Sequence, residues 1–227
     1  IAGTGRPGPV LIDIPKDIQT EKISMAEYNK LYEVPIHLEG YDPTYKGHQG
    51  QIKKAATLIK NAKRPLIIAG AGVLKSGAMD ELKELAEKAQ IPVTNTLVGL
   101  GGFPGDHELA LGMVGMHGSV AANNCTEEAD LVIAAGIRFH DRITGHPDFF
   151  CKKAKIIHID IDPAEIDKNV TINVPIVGDL KRVLTELNAL VEPVTHETWI
   201  EQIREWQKEY PMVVPESTNG ELHAQYV

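Results

Sequence analysis

The chain has 227 residues, 43% of them apolar and 24% charged, which is the composition of a soluble protein with one well-filled core. A formal charge of −8 excludes a generic nucleic-acid surface, which needs a basic excess, and no apolar run approaches the roughly 20 residues of a membrane helix. The two cysteines, Cys125 and Cys151, lie far apart without CxxC spacing, so a disulfide framework and a zinc site are disfavoured and both thiols read as packing in a reducing cytosol.

The sequence opens on Ile1-Ala2-Gly3 without a methionine or a signal segment, which reads as the interior of a longer polypeptide. Val10-Leu11-Ile12-Asp13-Ile14, a β-branched run between Pro9 and Pro15, predicts a strand. From residue 16 to 47 the pattern dissolves into polar residues and prolines, as in a linker. That strand is therefore expected to stand apart from the rest of the fold.

Alternation of helix and strand then begins. Ile52, Ala55, Ala56 and Ile59 share one face of a helix over 49–61. Pro65-Leu66-Ile67-Ile68-Ala69 is continuously apolar, the mark of a strand covered on both faces. Leu82, Leu85, Ala86 and Ala89 form a helical stripe, Ile91-Pro92-Val93-Thr94 a strand, and Ser119 the cap of a helix ending near Ala129. Residues 131–135, 156–159 and 174–177 read as strands, and Leu180, Val183, Leu184 and Leu187 as one helical face. A polar helix over 195–210 carries Trp199, Ile203 and Trp206 on one side, and the chain trails into a second linker after Pro211. The pattern predicts an α/β fold with a doubly wound, mainly parallel sheet of about six strands within 49–191.

Ligands of such sheets bind at the carboxyl ends of strands. The first buried strand is followed by Gly70-Ala71-Gly72, the second by Thr96-Leu97, and the third by Gly136-Ile137-Arg138-Phe139-His140-Asp141-Arg142. Asp160-Ile161-Asp162 and Gly178-Asp179 follow the last two. Glycines admit a ligand to the backbone, Arg138 offers paired donors to a pyrophosphate, and the acids suit ribose or adenine. Together they fit a dinucleotide.

Each part also has a plain reading. Lys75 stands where the third glycine of GxGxxG belongs, which disfavours a standard NAD site, and a change at Lys75 is expected to matter little. Asp160 and Asp162 read more readily as turn and cap residues before Pro163, and Gly115-Met116-His117-Gly118 reads equally as a flexible loop. Asp141 and Arg142 read as a solvated ion pair. His107, His117, His140 and His146 match no metal signature, and no nucleophilic triad has local support.

In combination these strings resemble the acetolactate synthase family of thiamine-diphosphate enzymes. The resemblance rests on Gly5-Arg6-Pro7-Gly8-Pro9-Val10 and Asp13-Ile14-Pro15-Lys16-Asp17, then GMHG at 115–118, GIRFHDRITG at 136–145 and HIDIDPAEI at 158–166. It covers essentially the whole chain. It implies four parts: 1–17 closing an N-terminal thiamine-diphosphate domain, 18–47 a linker, 48–192 a central FAD-binding domain, and 193–227 a helix and linker toward a C-terminal domain.

By the same resemblance FAD is lined by Arg6, Gly70, Ala71, Gly72, Thr96, Leu97, Gly115, Met116, His117, Gly118, Gly136, Ile137, Arg138, Phe139, His140, Asp160, Ile161, Asp179 and Leu180. Arg138 would meet its phosphates, and Asp160 and Asp179 its adenosine end. Asp141 and Arg142 match an Asp-Arg pair near the family's substrate channel, where inhibitors bind. His140 departs from the family's usual Asp.

The family condenses two pyruvates, or pyruvate with 2-oxobutyrate, with loss of carbon dioxide, on the route to valine, leucine and isoleucine. Thiamine diphosphate, Mg2+, the activating glutamate and thus every catalytic residue would lie outside this chain, and no metal is expected within it. Implied partners are the rest of the catalytic subunit, a homodimer or tetramer of such subunits and a small regulatory subunit, in the cytoplasm, with no nucleic acid and no membrane. Two other readings remain open: a redox flavoprotein domain of the pyruvate oxidase type and a non-enzymatic nucleotide-binding module. Catabolic synthases that lack FAD resemble the chain least around Arg138.

Overall fold

The computed structural model describes residues 1–31, 33 and 38–212. Six parallel strands form one sheet: β1 (Pro65–Ala69), β2 (Val93–Asn95), β3 (Ala110–Met113), β4 (Leu131–Ala135), β5 (Lys155–Asp160) and β6 (Val174–Val177). Their order is β3-β2-β1-β4-β5-β6. The chain thus builds outward from β1 to one edge, returns to β4 and builds to the other. The loops after β1 and β4 diverge where the direction reverses.

Side chains of a strand alternate between faces, and the two cores divide accordingly. Ile67, Ala69, Ile133, Ala135, Ile157, Ile159, Val174 and Ile176 join one buried cluster, and Leu66, Ile68, Val132, Ala134 and Ile156 the other. The first face is covered by α3 (Gln49–Asn61), α5 (Met79–Lys88) and α8 (Leu180–Leu190), through Ile52, Ala55, Ile59, Leu82, Leu85, Val183, Leu184 and Leu187. The second is covered by α6 (Val120–Glu128) and α9 (Glu197–Glu209), through Ala122, Cys125, Trp199 and Ile203. Two-sided cover is why β1 and β4 are apolar at every position. Ser119 caps α6 as expected, its Oγ accepting the Ala122 N–H at 3.1 Å. Trp199 anchors α9 by donating Nε1–H to the Pro65 carbonyl at 3.0 Å.

Cys125 and Cys151 are free and buried, and burial pushes both thiols up, so neither is a ready thiolate. No helix among the described residues is long and apolar enough to cross a membrane.

Three elements differ from the sequence reading. Residues 10–14 are not a strand among the described residues: Leu11 is 93% exposed, with no neighbouring strand to pair its backbone. A β-branched run becomes a strand only beside another. The stretch after residue 15 holds two short exposed helices, α1 (Lys16–Thr20) and α2 (Met25–Leu31). The sixth strand of the sheet, β3, has no β-branched run to announce it. It is an edge strand interrupted by Gly112 at φ +74°, and its register against β2 shifts there. The trailing segment 213–227 lies outside the described residues.

Candidate functional site

At the carboxyl edge of the sheet, across the divergence of β1 and β4, lies a cleft of about 870 Å³. Every strand but β3 sends its following loop to the wall: Ala71 and Gly72 after β1, Thr96 and Leu97 after β2, Asp160 and Ile161 at the end of β5, Asp179 and Leu180 after β6. From β4 come Gly136, Ile137, Arg138, His140, Asp141 and Arg142. The cleft therefore gathers fifteen of the anticipated residues, Arg6 included.

Its floor is glycine against glycine. The Gly72 N–H donates to the Gly136 carbonyl at 3.0 Å, and the Gly70 N–H to the Ala135 carbonyl at 2.9 Å. A Cβ on Gly72 would stand 2.5 Å from the Gly136 Cα, and one on Gly70 2.3 Å from the Gly136 oxygen. Gly136 itself sits at φ +60°. The glycines thus let two strand-end loops cross in contact, leaving backbone open to a ligand. α4 (Ala71–Ser76) starts within this crossing, as a strand-to-helix turn at the glycine pair would have it.

Beyond Gly136 burial alternates: Ile137 and Phe139 are buried, Arg138 and His140 exposed on the cleft wall. Phe139 packs edge-on against Phe150 and His158, at 5.8 and 5.0 Å between ring centres. The N–H groups of Ile137, Arg138 and Phe139 find no acceptor among the described residues. Neither do the guanidinium groups of Arg138 and Arg142 or the Lys75 ammonium carry an ion pair there. Lys75 also lines the cleft. Buried Thr96, also on the wall, has an Oγ1 without a partner among the described residues. Free cations, free N–H groups, an orphaned hydroxyl and a glycine floor fit an anionic dinucleotide such as FAD.

The acids lie on the other side. Burial pushes the Asp160 carboxyl up, and its Oδ1 accepts the Asp162 N–H at 2.9 Å. Asp162 caps the next turn, taking the Ala164 N–H at 3.0 Å, as the plain reading of that motif has it. Asp179 caps α8 by accepting the Arg182 N–H at 3.1 Å. Asp141 and Arg142 form no ion pair: Asp141 Oδ1 instead accepts Arg142's own backbone N–H at 2.9 Å.

Six anticipated residues lie off the cleft wall: Gly70, Gly115, Met116, His117, Gly118 and Phe139. The 115–118 loop instead braces α7 (Asp141–Thr144), the Met116 N–H donating to the Arg142 carbonyl at 3.0 Å. Gly115 is required there, since its Cβ would stand 2.4 Å from the Arg142 oxygen at φ +101°.

The cleft also has a wall absent from the sequence reading, made of Gly3, Thr4, Gly5, Pro7 and Tyr45. Arg6 fastens this segment, donating from Nη1 to Asp162 Oδ2 at 2.8 Å and Glu165 Oε1 at 2.7 Å, while the Gly5 N–H donates to Tyr45 Oη at 3.1 Å. Burial alone would raise the Asp162 and Glu165 carboxyls, but Arg6 holds both below their ordinary values of 3.8 and 4.5. The pair therefore stabilises the fold above those values, and that contribution is lost as the pH falls through the lower folded ones. Replacing Arg6 with leucine is expected to cost about 1 kcal/mol at pH 7, discounted for solvent screening, or roughly 2–4 °C in thermal midpoint. The gap between wild type and variant should close as the pH is lowered from 6 to about 3. A gap independent of pH would mean that the ion pairs contribute nothing to stability.

Comparison with known proteins agrees with this geometry. Residues 52–187, the span that builds the sheet and most of the cleft, match the family model of the thiamine pyrophosphate enzyme central domain. A probable acetolactate synthase large subunit of Methanocaldococcus jannaschii is 55% identical over 211 residues, 92% of this chain and 35% of that protein. The acetolactate synthase large subunit of Buchnera aphidicola subsp. Schizaphis graminum is 47% identical over 206 residues, 91% of this chain and 35% of its own. The acetolactate synthase of Mycobacterium bovis is 44% identical over 233 residues, with 100% of this chain and 37% of that protein covered. The chain spans about a third of the length of these curated relatives. With the model matched across the sheet and a cleft at the point where its strand order reverses, the chain belongs to the family of thiamine pyrophosphate enzyme central domains.

Proposed function

We propose that this chain is the FAD-binding central domain of an acetolactate synthase large subunit. The observation that carries the reading is the cleft across β1 and β4, with its glycine floor and an Arg138 that has no ion pair among the described residues, in a chain 55% identical to a probable acetolactate synthase large subunit. Residues 1–17 would close a preceding domain, 18–47 link it to the central domain at 48–192, and 193–227 lead onward. The whole enzyme would join two pyruvates, or pyruvate and 2-oxobutyrate, in branched-chain amino-acid synthesis. Thiamine diphosphate and Mg2+ would be held outside this chain. Its partners would be a second catalytic subunit, in a dimer or tetramer, and a small regulatory subunit, in the cytoplasm.

When bound, FAD would fill the switch-point cleft as a structural group that the net reaction does not consume. Arg138 would set paired donors against its phosphates, and the Ile137 and Arg138 N–H groups lie in the same stretch. Gly72 and Gly136 would let the ligand approach the backbone, while the Thr96 hydroxyl would gain the partner it lacks among the described residues. Asp160 and Asp179 would face ribose or adenine donors. The segment fastened by Arg6 would cover one side and exclude water.

The test uses the full-length protein with thiamine diphosphate and Mg2+ present. Stripping FAD should abolish acetolactate formation from pyruvate and adding it back should restore it, whereas this chain alone should form none. Pyruvate should leave the bound flavin oxidised. Full activity without FAD would refute the flavin reading, and bleaching of the flavin by pyruvate would favour a pyruvate oxidase.

A further inference from the structure

We propose that His158 is a positioning residue of the dinucleotide site, fixing the Ile137 peptide and with it the direction in which Arg138 enters the cleft. This rests on the reading of the cleft as an FAD site.

His158 is 0% exposed, in the middle of β5, among the buried Ile156, Ile157 and Ile159. An imidazole there needs a reason, because a buried polar group without partners costs about 1–3 kcal/mol. Its one hydrogen-bond partner among the described residues is the Ile137 carbonyl, 2.9 Å from Nε2. A carbonyl only accepts, so Nε2 carries the proton and Nδ1 is bare, and Nδ1 has no partner among the described residues. Protonation would add a second buried donor without an acceptor, and burial correspondingly lowers the imidazole's affinity for protons. Asp160 Oδ2, at 3.9 Å, is too far to compete for Nε2–H.

The bond completes a set. Along the stretch that carries Arg138, the Gly136 carbonyl accepts from the Gly72 N–H, Ile137 from His158 and Phe139 from Asn169 Nδ2 at 2.7 Å. The Arg138 carbonyl accepts from the His140 N–H at 2.9 Å. Phe139 adds edge-on packing against the His158 ring. With all four carbonyls held, these peptide planes cannot turn freely, and alternation commits Arg138 to the cleft while Ile137 and Phe139 stay in the core. Of these bonds, that of His158 lies next to Arg138 on its N-terminal side and reaches the loop from a neighbouring strand.

The experiment is FAD titration of flavin-stripped full-length protein at fixed salt. His158→Asn ends near the place of Nδ1 and leaves the carbonyl unmet, whereas His158→Gln carries an N–H to the place of Nε2. We expect the Asn change to weaken FAD at least about tenfold and the Gln change to stay within about threefold of wild type. In an Arg138→Ala background the Asn change should lose most of its effect, because His158 acts through Arg138. Equal weakening in both backgrounds, or no rescue by Gln, overturns the inference. If the Asn variant does not fold, His158→Leu takes its place in the cycle. Failure of both to fold while Gln folds also overturns it, since the bond would then serve the core as a whole. A wild-type protein that binds no FAD would instead sink the reading of the cleft itself.

Discussion

Arg138→Ala is expected to weaken FAD binding by the full-length protein roughly 10- to 100-fold, about 1.5–3 kcal/mol for charge-assisted hydrogen bonds. The size reflects the surroundings of the guanidinium. It lines the cleft without an ion pair among the described residues, so no neighbouring carboxylate must be released before it meets a phosphate. Arg6, which lines the same cleft, is held by Asp162 and Glu165 and has fewer donors to spare. Lys75 also lines the cleft, and its replacement by alanine should give a smaller loss, because a mobile ammonium matches a phosphate less well than a guanidinium fork. Lys53, exposed on α3 and away from the cleft, is the neutral control. Equal affinities for Arg138→Ala and Lys53→Ala, measured by flavin fluorescence at fixed ionic strength, would show that the phosphate site is elsewhere.

The second large effect concerns the glycine floor. Gly136→Ala should destabilise the fold by about 3–5 kcal/mol, or prevent the folded protein from accumulating. Two penalties combine at this position. The backbone is left-handed at φ +60°, and the new Cβ would stand 2.5 Å from the Gly72 Cα, an approach that only backbone movement relieves. Two other glycines separate the penalties. Gly77 closes α4 at φ +64° with nothing within 4 Å of a Cβ, so Gly77→Ala should cost only the conformational part, about 1 kcal/mol. Gly105 has neither a positive φ nor a neighbour, and Gly105→Ala should lie within about 0.5 kcal/mol of wild type. Thermal midpoints in the order Gly105→Ala, Gly77→Ala, Gly136→Ala, highest first, are the expected outcome. Parity of the Gly77 and Gly136 variants would mean that the crossing loops can part without cost.

Much of this was legible in the sequence for a simple physical reason. A strand buried on both faces must be apolar throughout, and Pro65–Ala69 and Leu131–Ala135 are. The helices that cover them must be apolar on one stripe, and Leu82, Leu85 and Ala86 are. Strand ends then gave most of the cleft wall. What stayed hidden depends on partners distant in the chain. β3 forms because β2 offers it an edge, and Gly112 conceals the pattern. Residues 10–14 have strand chemistry but no neighbouring strand among the described residues. The segment from Gly3 to Pro7 reaches the cleft through the Arg6 bonds to Asp162 and Glu165, some 156 and 159 positions away, and Tyr45 through its carbonyl, which accepts the Asp179 N–H. No spacing rule shows such a contact, although three glycines around Arg6 gave a local signal. Gly115 is demanded by the packing of its loop on α7 and Gly118 by the close approach of Met113 and Val114, a role no motif distinguishes from ligand binding.

A crystal structure of the full-length protein with FAD tests the central claim most directly. The account predicts flavin dinucleotide density across the carboxyl ends of β1 and β4, its diphosphate beside Arg138 and over the contact of Gly72 with Gly136. Density for FAD bound away from these loops, with the cleft closed by the protein's own side chains, would contradict it.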